Sequence, residues 1–401
     1  MKSGGSWREN IPRPYRRAVP ALERFSQTTK RSLDWFGVRT GTWVITGGWR
    51  QAMALLDGLR VLDLTMWRPG PYTTQLLAQL GADVIKVEPP GGEPMRAFRR
   101  HFDLLNQRKR AVVLDLKDPA GRARCLELAA GAEVFVEGFR PGVAGRLGVG
   151  HEALLGVNPS LVYCSLSGYG ASGPLSAVPG HDVNYRAYAG GLPPGAVSPD
   201  AGDLPVADMA AATMAAFAIT AACLKARATG AGERIDLGMA DVVAHWVGTV
   251  PETRETVREH FHGPVPGYGV YATRDGRQIS LGVVSEQHLW AASCRALGLG
   301  EHADVPFTER LGRLRELDAE VAAAVGRLTR DEAVALLEAA GAPVAPLLTR
   351  SEMMAHEHFR SRGVIADGTV GVPVRTTAHP SLPPGPVPGL DEHRGEGWRA
   401  G

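Results

Sequence analysis

Between Leu59 and Ser165 the chain alternates short apolar runs with amphipathic stretches, and this alternation limits the folds open to it more than any other feature. Leu59–Leu64 (LRVLDL), Ala82–Val87 (ADVIKV), Val112–Leu116, Glu133–Glu137 and Leu161–Ser165 (LVYCS) read as strands. Tyr72–Leu80 reads as a helix ended by Gly81, and Asp118–Ala130 as a helix with Pro119 in its first turn. Strands separated by helices imply βαβ units, parallel pairing and an α/β sheet. After about residue 235 the pattern changes. Gly269–Thr273 and Gln278–Val284 flank Arg274-Asp275-Gly276-Arg277, a hairpin signal, and helical stretches follow at Glu286–Leu297, Leu311–Leu328 and Arg330–Ala340. This second region reads as a smaller α+β unit, followed by a Pro-rich tail from Pro373 expected to lie extended on the surface.

At 401 residues the chain has room for two domains. Its net charge of +2 gives no reason to invoke nucleic acid. Residues 1–56, however, hold ten Lys/Arg against three Asp/Glu. With no continuous apolar core this leader is not a signal peptide. Met53 begins MALLDGLRVLDLT, a natural opening for a strand-first domain, so the basic extension over residues 1–55 reads as disordered or not natively made. Cys125, Cys164, Cys223 and Cys294 are widely spaced and form no CxxC pair, which argues for a reducing cytoplasm and against a disulfide framework or a zinc site. The longest apolar run, Met209 to Leu224, is short for a bilayer and rich in Ala and Thr, so a buried helix is expected and no membrane span.

The usual signatures of several enzyme classes are missing: no GxGxxG follows the first strand, and GxxxxGK[ST], GxSxG and HExxH do not occur. What remains is a set of compact motifs at strand ends. In order they are RPGPYTTQLLAQLGADVIKVEPPGGEPMR, LLNQRKRAVVLDLKDPAGR, EVFVEGFRPGVAGRLG, CSLSGYGASGPLSAVPGHDVNY and VADMAAATMAAF. With these five motifs in this order the chain resembles the family III CoA-transferase and α-methylacyl-CoA racemase superfamily, from about Leu56 to the Pro-rich tail.

The resemblance implies a Rossmann-like large domain built from both chain ends, a smaller α+β domain, and an interlocked homodimer. The layout it implies is a large CoA-binding α/β domain over residues 56–235, a linker and small domain over 236–345, and a C-terminal return over 346–401. The ligand is then an acyl-CoA thioester; no separate cofactor is expected, CoA being part of the substrate, and no metal. CoA-binding residues carried over are Leu114-Asp115-Leu116-Lys117, Gly138-Phe139-Arg140 and Arg146. Charge agrees with this: CoA is rich in phosphate, and Arg108, Lys109, Lys117, Arg140 and Arg146 lie beside strand ends, where α/β ligands bind. Solvated loop cations are the plainer reading of the same residues.

Inverting a centre α to a thioester needs a base on one face of the carbon, an acid on the other, and donors for the enolate between them. In the racemase branch these roles fall to the His of the GHD-x-N-Y motif and to an Asp opening a later helix, here His181 and Asp208. Gly180, Asp182, Val183, Asn184 and Tyr185 around the first, and Ala207 and Met209 around the second, complete the expected site; the backbone N–H after His181 is the candidate enolate donor. Asp208 also reads as the N-cap of the apolar helix that follows. In the transferase branch the same Asp is the nucleophile and the His is typically absent.

Three departures from the racemase pattern stand out. Met209-Ala210-Ala211-Ala212 replace glycines, with methyls that narrow the acyl pocket or shift the helix. The small-domain glutamate that pairs with the His aligns with Ser285, leaving Glu286 one place on to take its role. An arginine after the second strand is Pro89. The sequence therefore supports a racemase or epimerase of 2-methylacyl-CoA-type thioesters, with a CoA-transferase using Asp208, or a non-catalytic CoA-ester binder, as alternatives.

Overall fold

The computed structural model describes residues 54–192, 204–250, 265–377 and 381–399. Nearly all of the basic extension lies outside these residues. Five strands of the main sheet form at the apolar runs: β1 (Arg60–Leu64), β2 (Asp83–Glu88), β3 (Arg110–Val113), β4 (Val134–Glu137) and β5 (Val162–Ser167). The sixth, β6 (Glu233–Gly238), alternates half-buried and exposed residues along ERID, and those charges hide it from a search for apolar runs. All pair in parallel in the order β3-β2-β1-β4-β5-β6, the doubly wound arrangement. The α/β sheet is thus as the sequence implied.

β3 begins two residues earlier than the Val112–Leu116 run. Arg110 anchors it, donating from Nε and from one Nη to the two carboxylate oxygens of Asp83 on β2, at 3.1 and 2.6 Å. The chain then turns where Asp115 accepts the amide of Lys117.

One face of the sheet is covered by α1 (Pro69–Gln79), with later helices α7 (Val206–Thr229) and α8 (Met239–Gly248). The other carries α3 (Pro119–Ala130) and α5 (His151–Val157). Between them in sequence come the short helices α2 (Arg99–Leu105), α4 (Val143–Arg146) and α6 (Asp182–Tyr188). At 24 residues α7 exceeds the apolar run of the sequence and is long and apolar enough, by length and composition, to cross a membrane. Its alanines 207, 210, 211, 212 and 215 are buried in the fold, and the Ala212 carbonyl accepts from the Thr73 hydroxyl of α1. The methyls of Ala210–Ala212 therefore pack in the core, and none of them lines the groove described below. That corrects the expectation that they narrow the pocket.

The second region holds an antiparallel sheet, β7 (Tyr268–Ala272), β8 (Gln278–Gly282) and β9 (Val344–Pro346), turning at Gly276 with φ +74°. It packs on α9 (Gln287–Ala296), α11 (Leu314–Val325) and α12 (Arg330–Ala339). The single helix expected over Leu311–Leu328 is two, α10 (Phe307–Gly312) and α11, broken at Arg313. Within α10, Arg310 is buried, lies over the Trp290 ring of α9 at 4.9 Å and donates to the Val284 carbonyl, which holds α10 against α9.

The C-terminal stretch runs along the open edge of β3. Asp391 accepts the Val113 amide, His393 donates its amide to the Ala111 carbonyl, and the Trp398 indole reaches the Leu128 carbonyl. An otherwise unpaired strand edge is thereby covered.

Candidate active site

In a doubly wound sheet, chain leaves β1 to one side and β4 to the other, opening a crevice at their carboxyl ends. Here a groove lies along that edge. A cleft of about 150 Å³ is lined by Leu64, Val87, Pro89, Leu114 and Leu147 among others, and a larger one of about 480 Å³ by Gly70, Gly138, Arg140, His181 and Asp208 among others. Met66 and Phe139 line both, so the two adjoin.

Beneath the loop after β1 lies a buried charge network. Asp63 bonds Thr65 Oγ1 (2.5 Å), Thr74 Oγ1 (2.6 Å) and Lys109 Nζ (3.1 Å); Lys86 Nζ reaches the Thr65 carbonyl (2.8 Å) and Glu93 (3.0 Å). Burial alone raises a carboxyl pKa, but Lys109, Lys86 and the two hydroxyls hold Asp63 well below the usual range. Burial lowers Lys109 to about 8, against the pull of Asp63. This network pins Thr65, and the loop must then pass α1 closely: a Cβ on Gly70 would sit 2.2 Å from Thr65 Cβ. Trp67, in the same loop, has φ +64°, a strained value for a bulky residue and common where strain serves a site.

His181 is the residue before α6, and Asn184 Oδ1 accepts its backbone amide at 3.0 Å. Tyr185 Oη donates to the Gly180 carbonyl, and its ring meets Tyr169 edge-on at 5.1 Å. Space there is tight: a Cβ on Gly180 would lie 2.8 Å from the Tyr185 ring. The His181 turn is thus held from both sides.

Asp208 is the third residue of α7, not its cap; the helix begins at Val206. The cap comes from α6, where Asp182 Oδ1 accepts the amides of Ala207 (2.6 Å) and Asp208 (3.3 Å). The sequence reading of Asp208 as N-cap is corrected accordingly: a carboxylate 26 residues earlier does the work. Burial raises the Asp208 pKa, the Asp182 charge raises it further and Arg68 opposes, leaving it at about 6.

Of the expected residues, His181, Asp208, Gly180, Asn184, Tyr185, Gly138, Phe139 and Arg140 line the larger cleft, and Leu114, Asp115, Leu116 and Lys117 the smaller. Pro89 lines the smaller cleft, where its ring is part of an apolar wall. Arg146 is exposed on α4, beside the Leu147 that lines that cleft. Asp182, Val183, Ala207 and Met209 do not line either cleft: Ala207 is buried, Asp182 and Met209 are half-buried, and Val183 is exposed.

Three expected residues fall elsewhere. Lys109 is buried in the network with Asp63, and its ammonium bonds Asp63, Asn106 and the Pro71 carbonyl, so it is not a surface cation for phosphate. Arg108 precedes β3 and lines a cavity with Arg60 and Asp83 at the amino end of the sheet, its Nε donating to the Pro383 carbonyl. Glu286 is exposed ahead of α9, where it accepts the Val284 amide; within one chain it does not line the cleft with His181.

The structure adds residues that sequence reasoning passed over. Ser167 and Tyr169 line the larger cleft with buried hydroxyls that have no hydrogen-bond partner among the described residues. Arg68, between cleft-lining Trp67 and Pro69, is half-buried and acts on the charge of Asp208. The signal was there in position: both segments, RPG after β1 and SGYG after β5, leave the sheet at its carboxyl edge. As for metals, Glu301, His302 and Glu320 form the one grouping with ligand-like proximity among the described residues, in which His302 already bonds Glu320.

The class of protein this defines is a doubly wound α/β fold whose carboxyl edge carries a cleft lined by both His181 and an acid of raised pKa, Asp208. The chain belongs to CoA-transferase family III, whose model matches residues 56–394. It is 33% identical to an acetyl-CoA:oxalate CoA-transferase of Acetobacter aceti over 84% of this chain and 93% of that one. It is 31% identical to the human alpha-methylacyl-CoA racemase over 77% of this chain and 81% of that one. Among solved structures, a CAIB/BAIF family protein from Brucella suis matches with a TM-score of 0.75 at 26% identity, covering 85% of this chain and 97% of that one.

Proposed function

We propose that the protein exchanges the α-proton of an acyl-CoA thioester, as a racemase or epimerase of 2-methylacyl-CoA-type substrates. The observation that carries this reading is that His181 and Asp208 line one cleft, with Asp208 held at about 6. A carboxyl of that pKa has both protonation states within reach near neutrality, as a group that must alternate between acid and base requires. In one direction His181 removes the α-proton, leaving an enolate, and the Asp208 carboxyl delivers its proton to the opposite face. In the other the roles reverse. In this reading the Asp182 amide, in the first turn of α6, donates to the enolate oxygen. CoA would lie along the groove, with its thioester in the larger cleft and the Leu114–Lys117 segment beside its far end. Glu286 supports His181 in this reading only from a second copy, in the interlocked homodimer that the family resemblance implies.

The reading is tested by incubating a 2-methylacyl-CoA in heavy water. Deuterium at the α-carbon is expected, and its absence across a range of such esters would overturn the assignment. Transfer of CoA between carboxylic acids, with Asp208 as nucleophile, is the second reading. It is favoured by the several relatives named as CoA-transferases, and it predicts hydroxylamine capture of an Asp208 adduct after CoA-donor treatment.

A further inference from the structure

At the amino end of the main sheet, opposite the clefts, lies a cavity of about 320 Å³ lined by Arg60, Arg108 and Arg399, with Asp57 and Asp83. Arg60 and Asp83 are the first residues of β1 and β2, Arg108 comes just before β3, and Arg399 enters from the C-terminal stretch. Asp83 is already committed: its two oxygens hold Arg110, and one of them accepts the Arg399 amide at 3.2 Å. That leaves three guanidinium groups against the one exposed carboxylate of Asp57. The Arg60 Nε is buried with no hydrogen-bond partner among the described residues, a costly state unless a ligand bonds it. Arg108 is clamped into the wall, its amide donating to the Pro386 carbonyl at 2.7 Å and its Nε to the Pro383 carbonyl at 2.6 Å. Its backbone is left-handed, φ +64°, which costs energy in any residue but glycine. Burial, and then the neighbouring charge of Arg399, lower the Arg108 pKa. Two cations held close without a counter-ion repel one another, and a bound anion relieves that.

We propose that this cavity binds a phosphate group, as the free ion or on a small ester, between Arg60, Arg108 and Arg399. Charge selects phosphate: a dianion balances three guanidinium groups less one carboxylate, whereas a carboxylate monoanion leaves one positive charge over. Geometry agrees, because arginine forks bond phosphate oxygens in pairs. The volume is at the small end of small-molecule pockets, which suits the ion or a short ester. None of the three arginines lines either cleft, so the site stands whatever reaction the clefts perform. A bound phosphate ties the C-terminal stretch to the start of β1, so ligand binding and the docking of that stretch stabilise each other.

Calorimetric titration of the full chain with inorganic phosphate and with glycerol phosphate tests this, ionic strength being held constant with potassium chloride. Saturable binding of at least one is expected. Tighter binding of the ester identifies an ester as the ligand class, and tighter binding of the ion identifies free phosphate. Arg60→Gln and Arg399→Gln should each weaken the binding roughly tenfold to a hundredfold. Urea unfolding gives a second readout: saturating ligand should raise the wild-type midpoint and leave that of Arg399→Gln nearly unmoved. Failure of wild type to bind either compound would overturn the proposal. So would an affinity unchanged in either variant, since the phosphate then sits elsewhere on the protein. Arg399 is exposed near the chain end, so if Arg60→Gln does not fold, Arg399→Gln decides the matter alone.

Discussion

Asp182 Oδ1 accepts the backbone amide of Asp208 at 3.3 Å, so one carboxylate of the α6 turn caps the helix that carries the other. The arrangement has two effects. It fixes α7 relative to the His181 turn, since Asp182 directly follows His181 in sequence. It also places a negative charge near the Asp208 carboxyl, adding to the rise that burial produces. One side chain thus contributes to both the position and the acidity of the candidate acid, with burial the larger cause of the second.

Replacing Asp182 separates those effects. Asp182→Asn keeps an acceptor for the Ala207 and Asp208 amides but removes the charge, so the Asp208 pKa should fall from about 6 while burial keeps it above an ordinary carboxyl. The limb of the pH–rate profile that reports Asp208 should move to lower pH. Asp182→Ala should also lose the cap, costing about 1–2 kcal/mol in urea unfolding. An unmoved pH limb in Asp182→Asn would show that its charge does not reach Asp208.

The raised pKa has a sign for stability as well. Asp208 holds its proton more tightly folded than unfolded, so the folded state binds more protons between the unfolded pKa, near 4, and about 6. Stability contributed by this group is therefore lost as pH rises through that window, on the order of 2 kcal/mol in full above it. Asp208→Asn escapes the loss. The variant should be the more stable chain at pH 7.5 and should converge on wild type toward pH 4. Urea melts at the two pH values check this, and a gap of equal size at both would remove the burial argument.

How far these features were legible follows from the range of the interactions. The strand–helix alternation rests on residues adjacent in sequence, and β1 to β5 appeared where the apolar runs stand. Lys109 was misread because its partner, Asp63, is 46 residues away, and a lysine between two arginines looks like a surface cation. Asp208 carried the N-cap signature of Asp before an apolar run, but Pro205 permits the helix to start earlier, and the acceptor comes from α6. Near the break at Arg313, the buried Arg310 lies over Trp290, a contact that no helical periodicity reveals. The His181 and Asp208 motifs, by contrast, were found as compact runs, and the fold brings both to one cleft.

Removing the charge of Lys109 tests the network under the β1 loop. Lys109→Met leaves Asp63 fully buried with Lys86 as its remaining cation. The expected cost is roughly 3–5 kcal/mol, because an uncompensated buried charge is worse than no charge at all. Adding Asp63→Asn should recover much of that loss. If the single variant unfolds at the same urea concentration as wild type, Lys109 is not the counter-ion that its 3.1 Å contact indicates.

His181 separates the two chemistries open to the cleft. Proton exchange needs a group on each face of the α-carbon, so His181→Ala should lower the rate of deuterium uptake by about 10²–10⁴-fold. Capture of an adduct on Asp208 requires only the carboxylate and a thioester, so a transferase would retain hydroxylamine trapping in the same variant. Asp208→Asn should abolish both activities. The pair of variants, assayed side by side on one acyl-CoA with and without an acceptor acid, therefore gives different patterns for the two reactions. Deuterium uptake at the wild-type rate in His181→Ala would remove the histidine from the mechanism, whereas loss of uptake with retained trapping would assign Asp208 as a nucleophile.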